Sequence, residues 1–209
     1  MTIQIIDLGI NNVKSLVSAF SRITKEDISV HVSPKTCKKS QLTVLPGVGN
    51  FGRACAILQN LGFTEYLTKI VGAGDHLVGI CLGMQLLGES SAESPDARGL
   101  GFITGKSDLL PLQDSERLPN MGWNGTEVCK TNSYFSSLQE KKDFYFVHSY
   151  CFTPKKIEDV LTTSQYGSYS FTSGIMKENV LGFQFHPEKS SKIGAKLLSE
   201  ILVWSHEQS

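Results

Sequence analysis

Two short motifs carry residue types that could perform nucleophilic catalysis. Cys81 is at the centre of a Gly-Ile-Cys-Leu-Gly sequence at residues 79–83, and His186 is followed by Pro187 and Glu188. A histidine beside a carboxylate can take a proton from a thiol, because the acid orients the imidazole and stabilises its charged form. The motifs are 105 positions apart (186 − 81), so only the fold can bring the thiol and the base together.

The surroundings of Cys81 are those of a nucleophile at a strand-to-helix turn. An apolar run at residues 77–80 precedes it, a helical pattern begins at residues 84–87, and the flanking glycines permit a sharp turn. The N-terminus of the following helix favours the reactive thiolate. In an isolated Gly-x-Cys-x-Gly motif, the cysteine is more often a small buried hydrophobic residue than a nucleophile. We give that interpretation to Cys37, Cys55, Cys129 and Cys151.

The His-Pro-Glu motif follows an apolar run at residues 181–185. Residues two apart lie on one face of an extended segment, and Pro187 favours extended backbone at His186. We therefore predict an extended segment with Glu188 beside the imidazole. A chance occurrence in a surface loop is the alternative, but a position at a strand's end, where α/β sites gather, favours catalysis.

Two further loops follow apolar strands. Pro-Gly-Val-Gly at residues 46–49 could turn backbone N–H groups toward a ligand, as an oxyanion hole requires. The alternative is an ordinary tight turn, which has the same residue types. Residues 7–12 lack the glycine pattern and the lysine of nucleotide loops. We interpret them as a surface turn or a partner contact.

The elements that must position these motifs follow an α/β pattern in the first half of the chain. Apolar runs are at residues 3–6, 28–32, 42–45 and 77–80, and helical patterns at 13–23, 52–61, 64–71 and 84–87. The second half has strand-like runs at 102–110, 126–129, 144–152 and 160–165, a hairpin of 169–176 with 180–185, and a helix at 192–205. We predict an α/β fold in one domain, residues 1–209, with a mostly parallel central sheet flanked by helices and an antiparallel extension.

Composition excludes several functional classes. Lys+Arg and Asp+Glu are 20 each, without a basic stripe, so nucleic acid is not an expected partner. No apolar run reaches membrane-spanning length and no signal-like N-terminus is present, which predicts a cytoplasmic protein. The 5 cysteines form no Cys-x-x-Cys pair and the 5 histidines are scattered. Both observations predict reduced thiols and no metal site.

Three motifs, at residues 46–49, 79–85 and 184–188, in this order and spacing resemble the class-I glutamine amidotransferases. Segments 45–52, 121–124, 145–150 and 186–190 are similar to the glutaminase subunits of imidazole glycerol phosphate synthase. The resemblance implies L-glutamine as substrate and no cofactor. It also implies a heterodimer in which a (β/α)8-barrel cyclase subunit receives the ammonia for histidine biosynthesis.

The resemblance also implies residue roles. Cys81 would form a γ-glutamyl thioester, His186 would exchange the protons, and Glu188 would orient the ring. The oxyanion would be held by Val48, Gly49 and Leu82, and glutamine would be bound by Gly47, Gln85, His148, Ser149 and Tyr150. The partner would contact Asn12, Trp123, Tyr145 and Lys189. The alternatives are core aromatics for Trp123 and Tyr145, and a merely solvated Lys189.

One departure from the family concerns the loop after the first strand. The family usually has Gly where this chain has Asn11, and often Tyr where it has Leu8. Asn tolerates left-handed backbone better than most residues, so the turn is compatible with Asn11. Because this loop would face the partner, the departure bears on partner identity more than on the chemistry.

Three other functions compete with the histidine-pathway glutaminase. A paralogue could feed ammonia to a different cyclase-like partner, for instance in surface-sugar synthesis, and Trp123 with residues 189–191 modestly argues against it. A regulatory binding subunit would be expected to lack part of the triad, which is complete here. A stand-alone Cys-His hydrolase would be active without any partner.

Overall fold

The computed structural model describes residues 2–10, 12–111, 117–130 and 133–206. Asn11 lies outside the described residues. The helices are α1 (Val13–Ser21), α2 (Phe51–Leu61), α3 (Phe63–Gly72), α4 (Leu82–Leu86) and α5 (Ser191–His206). The strands are β1 (Thr2–Ile6), β2 (Asp27–His31), β3 (Leu42–Gly47), β4 (His76–Cys81), β5 (Ser90–Ser91), β6 (Gly105–Leu109), β7 (Asn120–Val128), β8 (Lys142–His148), β9 (Tyr150–Pro154), β10 (Val160–Tyr166), β11 (Tyr169–Lys177) and β12 (Val180–Phe183). Within the described ranges, none of the helices has the length and apolar character needed to cross a membrane.

A nine-stranded mixed sheet dominates the fold, in the order β2-β1-β3-β4-β12-β11-β10-β7-β8. The first five strands in that order pair in parallel. From β12 onward every pairing is antiparallel. The predicted α/β fold is confirmed, and its antiparallel extension has as many pairings as the parallel part.

Helices cover both faces of the parallel half because its strands alternate their side chains between the faces. Ile5 and Val44 belong to the apolar cluster that includes residues of α1 and α5. Ile6 and Leu45, one position further on, belong to the cluster that includes residues of α2 and α3. The near-continuous apolar runs read from the sequence therefore correspond to strands buried on both faces.

The run at residues 144–152 was wrongly predicted to be one strand. β8 ends at His148 and pairs with β7, whereas β9 begins at Tyr150 and pairs with β6 in a separate three-stranded sheet, β5-β6-β9. The His148 Nδ1–H donates to the Tyr150 carbonyl over 2.9 Å, which stabilises the change of direction. The apolar content of both strands hides this change in the sequence.

The start of β7 was also missed, because the strand begins at Asn120 and not at Thr126. Its first half contains Gly122, at a φ of 140°, and exposes the apolar Met121 and Trp123 while burying the polar Asn120, which inverts the pattern of a half-buried strand. By contrast, the predicted β11–β12 hairpin is confirmed, with Glu178 at a φ of 51° in the turn.

Candidate active site

Three neighbouring parallel strands bring the chemical motifs to one edge of the sheet. Gly47, at the end of β3, pairs with Cys81, at the end of β4. On the other side of β4, Ile80 pairs with Phe183, at the end of β12. Since the carboxyl ends of parallel strands lie at the same edge, the predicted oxyanion loop, the thiol and the His-Pro-Glu segment meet there.

Cys81 occupies a strained strand-to-helix turn. Its φ of 56° and ψ of −113° lie in a region that non-glycine residues rarely adopt. A Cβ added at Gly83 would come within 1.8 Å of the Leu45 carbonyl oxygen, and one at Gly79 within 2.6 Å of the Gly83 carbonyl oxygen. The predicted sharp turn is confirmed, and the flanking glycines are needed because α4 packs directly on the strands.

His186 and Glu188 form a buried pair. The His186 Nδ1 lies 2.8 Å from the Glu188 Oε1, and each side chain is 4% exposed. The prediction of extended backbone through Glu188 was wrong, because residues Pro187–Lys189 form a 3₁₀ turn. The φ of proline suits this turn as well as a strand, and the turn brings the carboxylate back to the ring. The His186 N–H donates to the Tyr145 carbonyl over 2.9 Å, which ties the segment to β8.

The electrostatics of the pair favour an imidazolium. Burial lowers the pKa of His186, but Cys81 and Glu188 together outweigh it and raise that pKa to about 10. Nδ1 faces Glu188, while the buried Nε2 has no hydrogen-bond partner among the described residues. The ring is therefore oriented through one nitrogen and can exchange a proton through the other.

A cavity of about 470 Å³ opens beside Cys81. It brings together eight of the residues singled out from the sequence, namely Val48, Gly49, Cys81, Leu82, Gln85, His148, Ser149 and Tyr150. The amino acid glutamine is small enough for a cavity of this volume. The structure thus gathers residues from β3, β4, α4 and the β8–β9 connection around one thiol.

A second cavity, of only about 20 Å³, lies beside His186 and Glu188. His186 and Glu188 line it together with Gly47, which was predicted to bind glutamine but is not among the described residues that line the large cavity. Asn12 and Lys189, both predicted to contact a partner, also line it. His186 and Glu188 thus share a narrow space with two residues of the predicted partner surface.

His148 is held neutral. Burial lowers its pKa to about 4, against the raising effect of its bond to the Tyr150 carbonyl. Its Nδ1 must carry the proton, because a carbonyl only accepts, and its Nε2 then accepts from the Asn120 amide over 3.1 Å. Both nitrogens are occupied, so His148 shapes the cavity wall and does not act as a base.

Gln85 is fixed at the base of the large cavity. Its Nε2 donates to the Tyr150 carbonyl and to the Gln184 Oε1, each over 3.0 Å. The two amide hydrogens are thereby used, which leaves its Oε1 as the group that can accept from a ligand.

Three residues of the site were given no role from the sequence: Glu93, Asn120 and Gln184. Glu93 lines the large cavity and accepts from the Phe51 N–H over 2.6 Å, at the start of α2. No motif surrounds Glu93, and Asn120 directly precedes the segment 121–124 without being part of it. Gln184 was part of the quoted motif at residues 184–188, but the sequence did not indicate its contacts.

One surface, called the aromatic surface below, combines the half-buried ring of Tyr145 with the exposed side chains of Met121, Trp123 and Lys189. Trp123 is 52% exposed and packs edge-on against Tyr145, with ring centroids 6.1 Å apart. The Lys189 Nζ lies 5.7 Å from the centroid of the Tyr145 ring. The core interpretation of Trp123 is wrong, and an exposed apolar cluster of this kind is typical of an interface.

Comparison with known families agrees with this architecture. A family model described as glutamine amidotransferase class-I matches residues 4–203. The chain therefore belongs to the class-I glutamine amidotransferases. A solved structure described as PurLQS from Thermotoga maritima shares the fold, with a TM-score of 0.76 and 19% identity over 97% of this chain and 98% of that chain.

Curated relatives narrow the assignment. The imidazole glycerol phosphate synthase subunit HisH 2 of Vibrio vulnificus is 40% identical over 98% of this chain and 95% of its own length. The imidazole glycerol phosphate synthase hisHF of Schizosaccharomyces pombe is 35% identical over 100% of this chain, which matches 39% of that protein. Within the class-I amidotransferases, the chain belongs to the HisH family.

Proposed function

We propose that this chain is the glutaminase subunit of an imidazole glycerol phosphate synthase in histidine biosynthesis. It hydrolyses L-glutamine to glutamate and ammonia through a thioester on Cys81. The observation that carries the mechanism is the buried His186–Glu188 pair, at 2.8 Å, next to a thiol on a strained turn that opens into a ligand-sized cavity.

The chemistry follows from the geometry. The Cys81 sulfur attacks the side-chain amide carbon of glutamine, and the new oxyanion is held by backbone N–H groups of Val48–Gly49 and Leu82. The His186 Nε2 gives its proton to the departing nitrogen, so ammonia leaves and the thioester remains. Water, deprotonated by His186, then attacks the thioester carbonyl, and glutamate leaves as the thiol is restored.

Recognition of the amino-acid end of glutamine rests on the walls of the large cavity. Glu93 is the only acidic side chain among the described residues that line it. Together with the free Gln85 Oε1, its carboxylate suits the substrate ammonium group. The backbone of residues 148–150 faces the same space and supplies polar groups for the rest of the substrate.

We further propose that the partner is a (β/α)8-barrel cyclase that binds the aromatic surface. Relatives named as subunits, and one named hisHF that extends well beyond this chain, support a dedicated partner. The small cavity leads from His186 toward Asn12 and Lys189, which suits passage of ammonia into the partner. The HisH names of the relatives favour this partner over a paralogous one.

The test is glutamine hydrolysis by the purified chain, alone and with the cyclase and its nucleotide ligand. We expect a strong rise in turnover with both present, and no turnover for Cys81→Ala under any condition. Cys129→Ala, which changes an exposed thiol, serves as the control. Equal turnover with and without the cyclase would instead identify a stand-alone hydrolase.

A further inference from the structure

Gln184 contacts the nucleophile but has no part in the mechanism above. It follows β12, lies two residues before His186 and is fully buried. Its Nε2 lies 3.8 Å from the Cys81 sulfur, and its Oε1 accepts from the Gln85 Nε2 over 3.0 Å. The amide thus joins the thiol to the base of the large cavity.

The orientation of this amide follows from its neighbours. The Tyr150 carbonyl can only accept, so the Gln85 atom that faces it must be the nitrogen. The same nitrogen lies 3.0 Å from Gln184, whose facing atom must then be the oxygen. The Gln184 NH₂ group is therefore directed at the Cys81 sulfur. The Tyr150 carbonyl fixes this assignment, although the oxygen and nitrogen of an isolated amide could be exchanged.

The groups around the Cys81 sulfur have opposite effects on its protonation. The Val147 carbonyl oxygen is 3.8 Å away and can only accept, so it favours the protonated thiol. The Gln184 amide can donate and favours the thiolate, as does the adjacent imidazolium of His186. Because the Gln184 amide is neutral and is held by Gln85, it favours the thiolate whenever the sulfur is not acylated, whether or not His186 carries its proton.

We infer that Gln184 is a further catalytic residue, whose side-chain amide donates a hydrogen bond to the Cys81 sulfur and stabilises the thiolate. The inference rests on the proposed function and adds a group to it. The bond increases the population of thiolate that attacks glutamine, at some cost in intrinsic nucleophilicity. It also stabilises sulfur as the leaving group when the thioester is hydrolysed.

The experiment is the pH dependence of Cys81 alkylation by iodoacetamide in the isolated chain, followed on the Cys81 peptide by mass spectrometry. For Gln184→Met, which is similar in size but has no donor, we expect alkylation at pH 7 to fall about tenfold and the profile midpoint to rise by about one unit. Well above the midpoint the variant should react at least as fast as the wild type. A packing defect would instead slow the reaction at every pH without moving the midpoint.

Ser173→Ala is the matched control. Ser173 is buried, its carbonyl accepts from the Gln184 N–H, and its hydroxyl bonds to Thr162 and does not touch the sulfur. It should lose stability without a change in midpoint. An unmoved midpoint in folded Gln184→Met would overturn the inference, and a moved midpoint in a chain without glutaminase activity would overturn only the proposed function.

If the Gln184 variants do not fold, the wild type supplies the test. The side-chain amide resonances of Gln184 should shift when Cys81 is alkylated, and those of the exposed Gln59 should not. Unchanged Gln184 resonances would overturn the proposed hydrogen bond.

Discussion

The parallel and antiparallel halves of the large sheet contribute to the site in different ways. The parallel half holds Cys81, the oxyanion loop and the His186 segment through backbone register, at the ends of adjacent strands. The antiparallel half displays the exposed Trp123 and the half-buried Tyr145 on the neighbouring strands β7 and β8.

The two halves of the sheet are therefore expected to serve different roles, the parallel half in catalysis and the antiparallel half in partner recognition. Positions set by buried strands are rigid, because both faces of those strands are packed. Exposed side chains on an edge hairpin can change with little effect on the core. We therefore expect substitutions near the parallel edge to impair turnover, and substitutions on the aromatic surface to impair partner binding.

The largest effect is expected for Glu188→Gln, which removes the carboxylate that orients the His186 ring. Turnover by the activated complex should fall by roughly 100-fold, the scale of general acid–base catalysis. Binding of the cyclase should persist, because Glu188 is buried. Steady-state kinetics with a titration of the cyclase separate the two effects. A loss of binding equal to the loss of turnover would contradict the division of roles between the parallel and antiparallel halves.

The same variant has a defined pH dependence of stability. A pKa of His186 raised from 6.5 to about 10 contributes stability that is complete below 6.5 and lost as pH rises through 10. Glu188 supplies part of this raised pKa, after Cys81, so its removal should lower the free energy of unfolding most at pH 6, with a smaller loss near pH 10. Glu140→Gln, at an exposed pair with Lys142, is the control in urea unfolding.

A smaller effect is expected for Trp123→Ala on the aromatic surface. Affinity for the cyclase should fall by about 30-fold, as for an interface hot spot, while the free energy of unfolding should change by less than about 0.5 kcal/mol. Titration of glutaminase activation measures the first, and urea unfolding the second. Val203→Ala, an exposed position on α5, is the control, and a large stability loss with normal activation would place Trp123 in the core after all.

The smallest effect is expected for Ser94→Ala, in the loop after β5 that contacts the start of α2. The Ser94 hydroxyl accepts from the Gly52 N–H over 3.1 Å, at the start of α2 and just after the oxyanion loop. Loss of one such cap should reduce turnover about fivefold through a less ordered loop. Cys81 alkylation needs no oxyanion hole and should be unchanged, as should both measurements for Ser199→Ala on α5.

Local pattern predicted the elements of the parallel half well, because strands buried on both faces and amphipathic helices have distinct periods. Prediction from the local pattern failed where tertiary contacts, and not the spacing of apolar residues, decide the backbone conformation. The break at Ser149 separates strands of two sheets, and the 3₁₀ turn at Pro187–Lys189 satisfies the same steric rules as an extended segment.

The unrecognised site residues share a cause. Glu93 contacts a backbone group 42 positions away, and Gln184 contacts a thiol 103 positions away. An acid or an amide that acts through such a long-range contact has no characteristic neighbours in the sequence. The glycines around Cys81, by contrast, are required by the local turn and are therefore visible in the sequence.

The residue types alone determined which chemistry was available: a thiol between glycines that permit a strained turn, and an imidazole followed by an acid that can reach it. Tertiary structure alone decided that β4 and β12 are neighbours, and so that these groups share one edge. It also decided that the Gln184 amide is directed at the sulfur and that Trp123 is exposed. The physical reason is that strand order and side-chain exposure depend on packing across the whole chain, which no local spacing specifies.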